Sequence, residues 1–493
     1  MELKPRYDFE KYSIGQEDIQ GEVEKLSKIE EATHHVEILQ QLKKQLEPLD
    51  FEALANPHNA ENFKLNNKHF LVLSIESVLQ LAAKNRWGLC KNHDFIYLYN
   101  GMFWDEIDKE TFQKFLGEAA ELIGVPMFTA KFYQFREQLF KQFLATAYLP
   151  TPKDNSDKVL INLKNGTFEI SPQGTNLKSF DSSDFITYQL PFEYNQNAKA
   201  PIFEAYLNRV LPDKERQMVL AEYLGFVFIK HGSNTLKEEK ALVLYGTGAN
   251  GKSVFFEIVN SLLGDENVST YSLQSLTNET GYFRAKLANK LVNYASEING
   301  NLEASIFKQL VSGEPVEARL PYGQPFNLKQ YAKLIFNCNE LPKDVEHTNA
   351  YFRRFLIIPF DVTIPPQEQD KQLHSKIIEN ELSGVFNWVL EGLNRLLVQK
   401  RFSDCDAAQR AVEQYRIESD SVQLFLSDND YRVSATNEIP LKDLFIEYRT
   451  YCIENGFKTC SSKTFAERLR NSGYQTERRS YGNSVNVEKK SFL

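Results

Sequence analysis

Between residues 18 and 48 the apolar positions Ile19, Val23, Leu26, Ile29, Val36, Leu39, Leu42 and Leu46 recur at three- and four-residue steps among charged ones. That is the spacing of one or two amphipathic helices, and a helical hairpin packed on the body explains it more simply than a partner surface. Residues 49–68 are polar, and "NPHNAENFKLNN" reads as a linker. From about 70 to 200 the pattern switches repeatedly. "KFYQFREQLFKQFLATA" keeps the helical period, whereas "DFIYLYNGMFWDEI" and "VLINLKNGTFEISPQG" read as strands and turns, with Asn165-Gly166 marking a hairpin. These predict an α+β module. Helical spacing returns over 201–235, and from there to about 360 short apolar runs alternate with helical ones, as in a mostly parallel sheet. Helices resume over 367–417, and a small mixed segment closes the chain from about 420. The predicted organisation is a helical N-terminal region (1–70), an α+β module (71–235), an α/β core (236–365), a helical lid (366–420) and a C-terminal domain (421–493).

A chain of 493 residues needs more than one core. At 42% apolar and 25% charged residues it has the composition of a soluble globular protein, and no run reaches the roughly 18–20 apolar residues of a membrane span. "MELKPRYDFEKY" lacks the apolar centre of a secretory leader and the Arg-rich pattern of a transit peptide, so a cytoplasmic location without membrane contact is expected. The five cysteines are scattered without a C-x-x-C pair, which argues against a zinc or disulfide framework. The net charge of −9 argues against coating nucleic acid with the whole surface. The tail is the exception: from Gly456 onward Lys458, Lys463, Arg468, Arg470, Arg478, Arg479, Lys489 and Lys490 face only Glu467, Glu477 and Glu488.

The sharpest chemical signal is "LVLYGTGANGKSVFFEIV" at 242–259. Gly246, Thr247, Gly248, Ala249, Asn250, Gly251, Lys252 and Ser253 fit G-x-x-x-x-G-K-[ST], in which backbone N–H groups cradle phosphates, the lysine neutralises them and the serine ligates magnesium. The context is right: "ALVLY" suits a buried strand, and Phe255, Ile258, Val259, Leu262 and Leu263 mark one helix face that Gly264 ends. The helix N-terminus is thereby aimed at the anion. ATP with Mg2+ is the expected ligand.

Downstream, "KLVNYASEI" can form a strand that delivers Glu297 at its C-terminal end, where a carboxylate activates water and supports magnesium alongside Ser253. "AKLIFNCNELPK" is a third buried strand ending in Asn339, and "AYFRRFLIIPF" sets Arg353 and Arg354 before a fourth. A guanidinium presented to a neighbouring subunit's nucleotide stabilises transition-state charge.

The series "GTGANGKS", "LVNYASE", "LIFNCNELP" and "FRRFLIIPF" resembles the superfamily three helicases of the AAA+ class, particularly the phage, plasmid and poxvirus primase-helicase family. The stretch from "INLKNGTFEI" to "LAEYLGFVF" is similar to the module preceding the motor in that family, so the resemblance covers roughly residues 85–400. It implies Lys252 and Ser253 on nucleotide and magnesium, Glu297 as catalytic carboxylate, Asn339 as polar sensor and Arg354, in preference to Arg353, as a finger acting in trans. Ser296 departs from the pattern, standing where many ATPases carry a second acidic residue. The resemblance further implies a replicative DNA helicase of a mobile element or virus, a hexameric ring moving 3′ to 5′ on single-stranded DNA, with forked DNA and a separate primase or initiator as partners. Residues 1–84 carry no set of paired carboxylates for metal-dependent polymerisation, so priming by this polypeptide is not expected.

Between Glu297 and Asn339, Pro321, Gly323 and Pro325 punctuate two extended segments around Tyr322. In the resembled helicases a hairpin here grips DNA in the ring channel. Arg319 and Lys329 are positioned for phosphates and Tyr322 for stacking, with Lys308 a weaker candidate. In the tail, "SSKTFAERLRNSGY" predicts a capped helix with Lys463, Arg468 and Arg470 outward. The run after it predicts two strands about Gly482-Asn483 carrying Arg478 and Arg479. A helix followed by a basic hairpin reads as a winged helix on duplex DNA, against the plainer alternative of a solvated charged face. Two other classes fit parts of the pattern: an ATP-gated origin-binding initiator without strand separation, and a small-molecule P-loop kinase.

Overall fold

The computed structural model describes residues 35–58, 60–92, 95–147, 157–296, 298, 303–321, 323–342, 345–480 and 482–489. The helical expectation before residue 35, and those for Glu297 and Tyr322, lie outside the described residues.

The first layer gathers helix α1 (His35–Gln45), α2 (Asn67–Lys84), strands β1 (Gly88–Asn92), β2 (Phe95–Tyr99) and β3 (Trp104–Ile107), then α3 (Lys109–Leu122) and α4 (Tyr133–Thr146). Ile38, Leu39 and Leu42 lie on one face of α1, as the 3.6-residue period requires, and share a core with Val78, Phe112, Phe115, Leu139 and Phe143. An antiparallel meander follows: β4 (Val159–Leu163), β5 (Gly166–Ser171) and β6 (Gly174–Lys178). Its first turn falls one residue before the expected place. Leu163 pairs with Gly166, and Asn165 is held by Tyr194, whose carbonyl accepts from the Asn165 amide at 3.0 Å. Helices α5 (Pro201–Val210) and α6 (Lys214–Phe226) lead into the central sheet.

That sheet contains β7 (Ala241–Tyr245), β8 (Val268–Ser269), β9 (Val292–Ala295), β12 (Lys333–Cys338) and β13 (Phe355–Pro359), ordered β13-β7-β12-β9-β8 with every pairing parallel. Helix α7 (Lys252–Leu263) follows β7. Helix α8 (Ala304–Ser312) precedes an antiparallel hairpin of β10 (Val316–Arg319) and β11 (Pro325–Leu328). Beyond β12 come the short α9 (Asn349–Phe352), β13, and the long α10 (Leu373–Gln399) and α11 (Asp406–Glu418). The strands are mostly apolar because both faces are covered, with Ser269, Asn293 and Lys333 as buried polar exceptions. Leu242 and Leu244 share a core with Phe255, Ile258, Leu393 and Leu396 on one side, while Ala241 and Val243, flanked by Phe355 and Ile357 of β13, share one with Phe307 on the other. The two-residue alternation of a strand divides one short run between two cores.

The last unit packs α12 (Ser421–Asp428), α13 (Leu441–Glu454) and α14 (Ser462–Asn471) against small ladders. These join β14 (Tyr431–Val433) to β18 (Val487–Lys489), and β15 (Ile439–Pro440) to β17 (Gly482–Val485) and β16 (Thr476–Arg479). Phe425, Leu444, Tyr448, Phe465 and Val485 form its core. Gly482 is not in the turn as expected: it opens β17 and pairs with Arg479, because the register is set by the β17 residues Ser484 and Val485 bridging both neighbours. Among the described residues no helix is long and apolar enough to cross a membrane.

Candidate nucleotide-binding site

The loop 246–251 leaves the C-terminal end of β7 and feeds α7, whose first residue is Lys252. Gly251 is fixed as glycine twice over. Its φ is +87°, and a Cβ there would lie 2.7 Å from Val210 Cγ1 and 3.2 Å from the Tyr206 ring. Tyr206 also donates its hydroxyl to the Gly251 carbonyl at 2.8 Å, so α5 clamps the loop from behind. At the front, Asn250 donates to the Phe360 carbonyl at 3.1 Å, and Ile364 N–H reaches the Ala249 carbonyl at 2.7 Å. Thr247, Gly248 and Ala249 remain exposed between these anchors.

Lys252 is only 6% exposed. Its ammonium donates to Gly246 O at 2.5 Å, Asn250 Oδ1 at 3.1 Å and Thr247 O at 3.3 Å, all neutral oxygens. Burial lowers its pKa, against an opposing charge effect from Cys338. A desolvated cation held by carbonyl dipoles at a helix N-terminus is chemically matched to a phosphate, which supplies the missing counter-charge. Ser253, in the first turn of α7, is exposed beside it. These residues fit a nucleoside triphosphate with magnesium.

The neighbouring strands bring further candidates to the same edge. Cys338 pairs with Tyr245, and the Gly246 N–H donates to the Cys338 carbonyl at 3.1 Å, so Asn339 emerges, exposed, where the loop starts. Ser296 is exposed one residue past β9, on the other flank of β12.

Arg354 goes elsewhere. It precedes β13, whose Phe355 pairs with Ala241 at the start of β7, so it sits at the opposite end of the sheet from the loop. Five residues of strand, at about 3.3 Å each, separate the two by about 16 Å. Its guanidinium is buried, donating to Ser312 Oγ at 2.7 and 3.3 Å and to the Ala350 carbonyl, with Glu239 3.3 Å away. Arg353 is the exposed member of the pair and reaches the same Glu239 at 3.0 Å. The sequence offered no sign of Ser312 or Glu239, which come from segments 42 and more than 100 residues away. Tyr206 and Val210, which shape the loop, were equally hidden.

On the hairpin, Arg319 pairs with Pro325 and donates to the Gly323 carbonyl at 3.0 Å; it and Lys329 are exposed, while Lys308 is tied to Glu346 at 2.8 Å. In the last unit Lys463, Arg470 and Arg478 are exposed. Arg479 is exposed but bridged to Glu438 and Glu477. Arg468, expected to point outward, instead turns to Asp420 at 3.3 Å and is 17% exposed, because the Asp420 carboxylate capping α12 stands beside it.

A buried strand, a glycine-bounded loop and a lysine opening the next helix define the chain as a P-loop protein. Family models match it consecutively: "D5 N terminal like" over 79–212, "Family of unknown function (DUF5906)" over 244–354 and "Poxvirus D5 protein-like" over 417–493. Along these three consecutive segments the chain is similar to the D5 primase-helicase family. It is 26% identical over 239 residues to "Putative helicase L207/L206" of Acanthamoeba polyphaga mimivirus, covering 46% of this chain and 24% of that protein. It is 22% identical over 371 residues to "Putative helicase 121R" of Invertebrate iridescent virus 3, covering 66% and 38%. The match thus spans well under half the length of each relative. Among solved structures, the apo A form of the NrS-1 C-terminal region matches with a TM-score of 0.46 and 14% identity, over 84% of this chain and 98% of that one.

Proposed function

We propose that this chain is an ATP-driven DNA helicase motor of the AAA+ class that works as a ring, with each nucleotide site shared between neighbouring subunits. The observation that carries the reading is the placement of the Lys252 loop and Arg354 at opposite ends of the paired strands β7 and β13. An arginine side chain cannot span that gap, but a neighbour packed head to tail brings one subunit's Arg354 end to the next subunit's loop. The strand order β13-β7-β12-β9-β8, with Asn339 emerging from the strand beside the loop, supports the AAA+ assignment.

In this reading Lys252, Ser253 and the N–H groups of 246–251 hold the triphosphate and its magnesium. Asn339 orients the attacking water, Glu297 takes its proton, and Arg354 meets the phosphates of the adjoining subunit. Bound ATP supplies a phosphoanhydride whose hydrolysis drives the hairpin. Arg319 and Lys329 would meet a single strand in the channel, and a hexamer moving 3′ to 5′ follows the resemblance noted above. The order α12, β14, β15, α13, α14, β16, β17, β18 is compatible with a winged helix in which β14 and β18 form an added ladder, and the exposed Lys463, Arg470 and Arg478 support a duplex-facing role for it. The domain limits 71–235, 236–365, 366–420 and 421–493 are part of the same proposal, as is a separate primase or initiator partner.

The test is strand displacement on a forked duplex with a 3′ single-stranded tail. Displacement that requires ATP and disappears in Lys252→Ala is expected. ATP-dependent DNA binding without displacement would instead identify an initiator, and DNA-indifferent turnover by a monomer a small-molecule kinase.

A further inference from the structure

The C-terminal end of α8 is a junction between two parts of the proposed motor that are otherwise separate. Ser312, its last residue, accepts from Arg354 at 2.7 and 3.3 Å. Four residues later the chain enters β10, the first leg of the hairpin. The second leg returns to the same place. After β11, the Tyr331 hydroxyl lies 2.8 Å from the Glu314 carbonyl and 3.2 Å from that of Gln309, on either side of Ser312.

A second set of bonds holds this junction to the rest of the chain. His231 N–H donates to Gln330 Oε1 at 3.1 Å and the Gln330 amide returns a bond to the His231 carbonyl at 2.8 Å. The His231 Nε2 faces the Tyr331 carbonyl at 3.1 Å, so it carries the proton and leaves Nδ1 to accept from Lys333 Nζ at 3.0 Å. Gly313, at φ +70°, packs so closely on that imidazole that a Cβ would run into it. The hairpin legs, the end of α8 and the start of β12 are therefore one packed unit. A displacement of the hairpin that carries this packed base with it moves Ser312; among the described residues the guanidinium's other partners are the Ala350 carbonyl and Glu239, with Glu346 interacting electrostatically.

Building on the shared-site reading, we propose that Ser312 is a positioning residue that couples the hairpin to Arg354. With the hairpin in the position seen here, the serine holds the guanidinium against its own subunit. Displacement of the hairpin by a bound strand withdraws Ser312 and releases Arg354 toward the neighbouring site. DNA in the channel thereby switches on hydrolysis next door.

The experiment compares ATP turnover with and without single-stranded DNA in wild type, Ser312→Ala and Ser312→Thr. Losing the Ser312 hydroxyl removes both guanidinium contacts, a short one and a weak one at 3.3 Å, together worth about one hydrogen bond to a charged group and so about tenfold in the release equilibrium. Ser312→Ala should raise the DNA-free rate and cut the DNA-stimulated to DNA-free ratio by up to about tenfold, and Ser312→Thr, which keeps the hydroxyl, should restore it. A merely structural role would lower both rates together and leave the ratio unchanged; that result would overturn the coupling while leaving a DNA-stimulated wild type, and so the shared-site motor, intact. A wild type whose turnover ignores DNA would overturn the motor and the coupling with it.

Discussion

Replacing Lys252 by methionine separates what the loop does for stability from what it does for ligand. The ammonium is 6% exposed and bonded to three neutral oxygens at 2.5–3.3 Å. Methionine of similar length abandons those acceptors, which costs, but also removes a buried charge that has no charged partner among the described residues, which gains; the opposing effects leave a net change within about 2 kcal/mol. Nucleotide binding has no such compensation. At a ligand concentration about 100 times Kd, ATP with magnesium stabilises the wild type by about 2.7 kcal/mol. The core containing the loop runs from Val159 to Ala408. For a cooperative unit of that size, about 250 residues, the gain raises the melting temperature by about 5 °C. Scanning calorimetry of both proteins with and without ATP and magnesium reads all four values. Lys252→Met should melt near the wild-type apo temperature and show no ATP-dependent rise. A rise equal to that of the wild type would refute the assignment of Lys252 as the phosphate's counter-charge.

Other outcomes follow from the same geometry. Burial pushes the Lys333 amine down to about 7. Between that pH and the ordinary lysine range the unfolded chain binds the extra proton, so stability rises with pH across that window and the penalty is complete below it. Lys333→Met should flatten this slope, the difference between the two proteins amounting to about 5 kcal/mol over the window in denaturant titrations at successive pH values. In the last unit, Arg478→Ala should reduce the salt dependence of duplex binding, the slope of log K against log salt falling by about 1 in fluorescence anisotropy. Arg468→Ala should leave that slope unchanged, since Asp420 already occupies its guanidinium.

How much of this could be read in advance depended on whether the determinant was local. The phosphate loop was legible because glycine, lysine and serine at fixed spacing between two apolar runs leave few alternatives. The buried strands were equally visible, since a sheet covered on both faces shows as short apolar runs such as "ALVLY" and the "LIF" of β12. Their order was not, because β12 enters between β7 and β9 through crossovers whose destination is set by tertiary packing. The hairpin after β4 was foreseen, but its turn was misplaced by a residue, since cross-strand register and the Asn165–Tyr194 bonds outrank the Asn-Gly preference. Charge without context misled most: Arg468 looked like its exposed neighbours, and only the fold brings Asp420 within 3.3 Å. The hold of Ser312 on Arg354 joins residues that share no motif, and nothing in either segment announces it.

The shared site is tested most directly by mixing two variants, Lys252→Ala and Arg354→Ala, each expected to be inactive alone. If Arg354 serves its neighbour's loop, some interfaces in the mixture pair an intact loop from one variant with an intact arginine from the other. Random assembly at equal amounts makes about a quarter of interfaces whole, so ATP turnover should reappear at up to about a quarter of the wild-type rate. A mixture that stays as inactive as its components would contradict the account, because it would mean that both residues must belong to one chain.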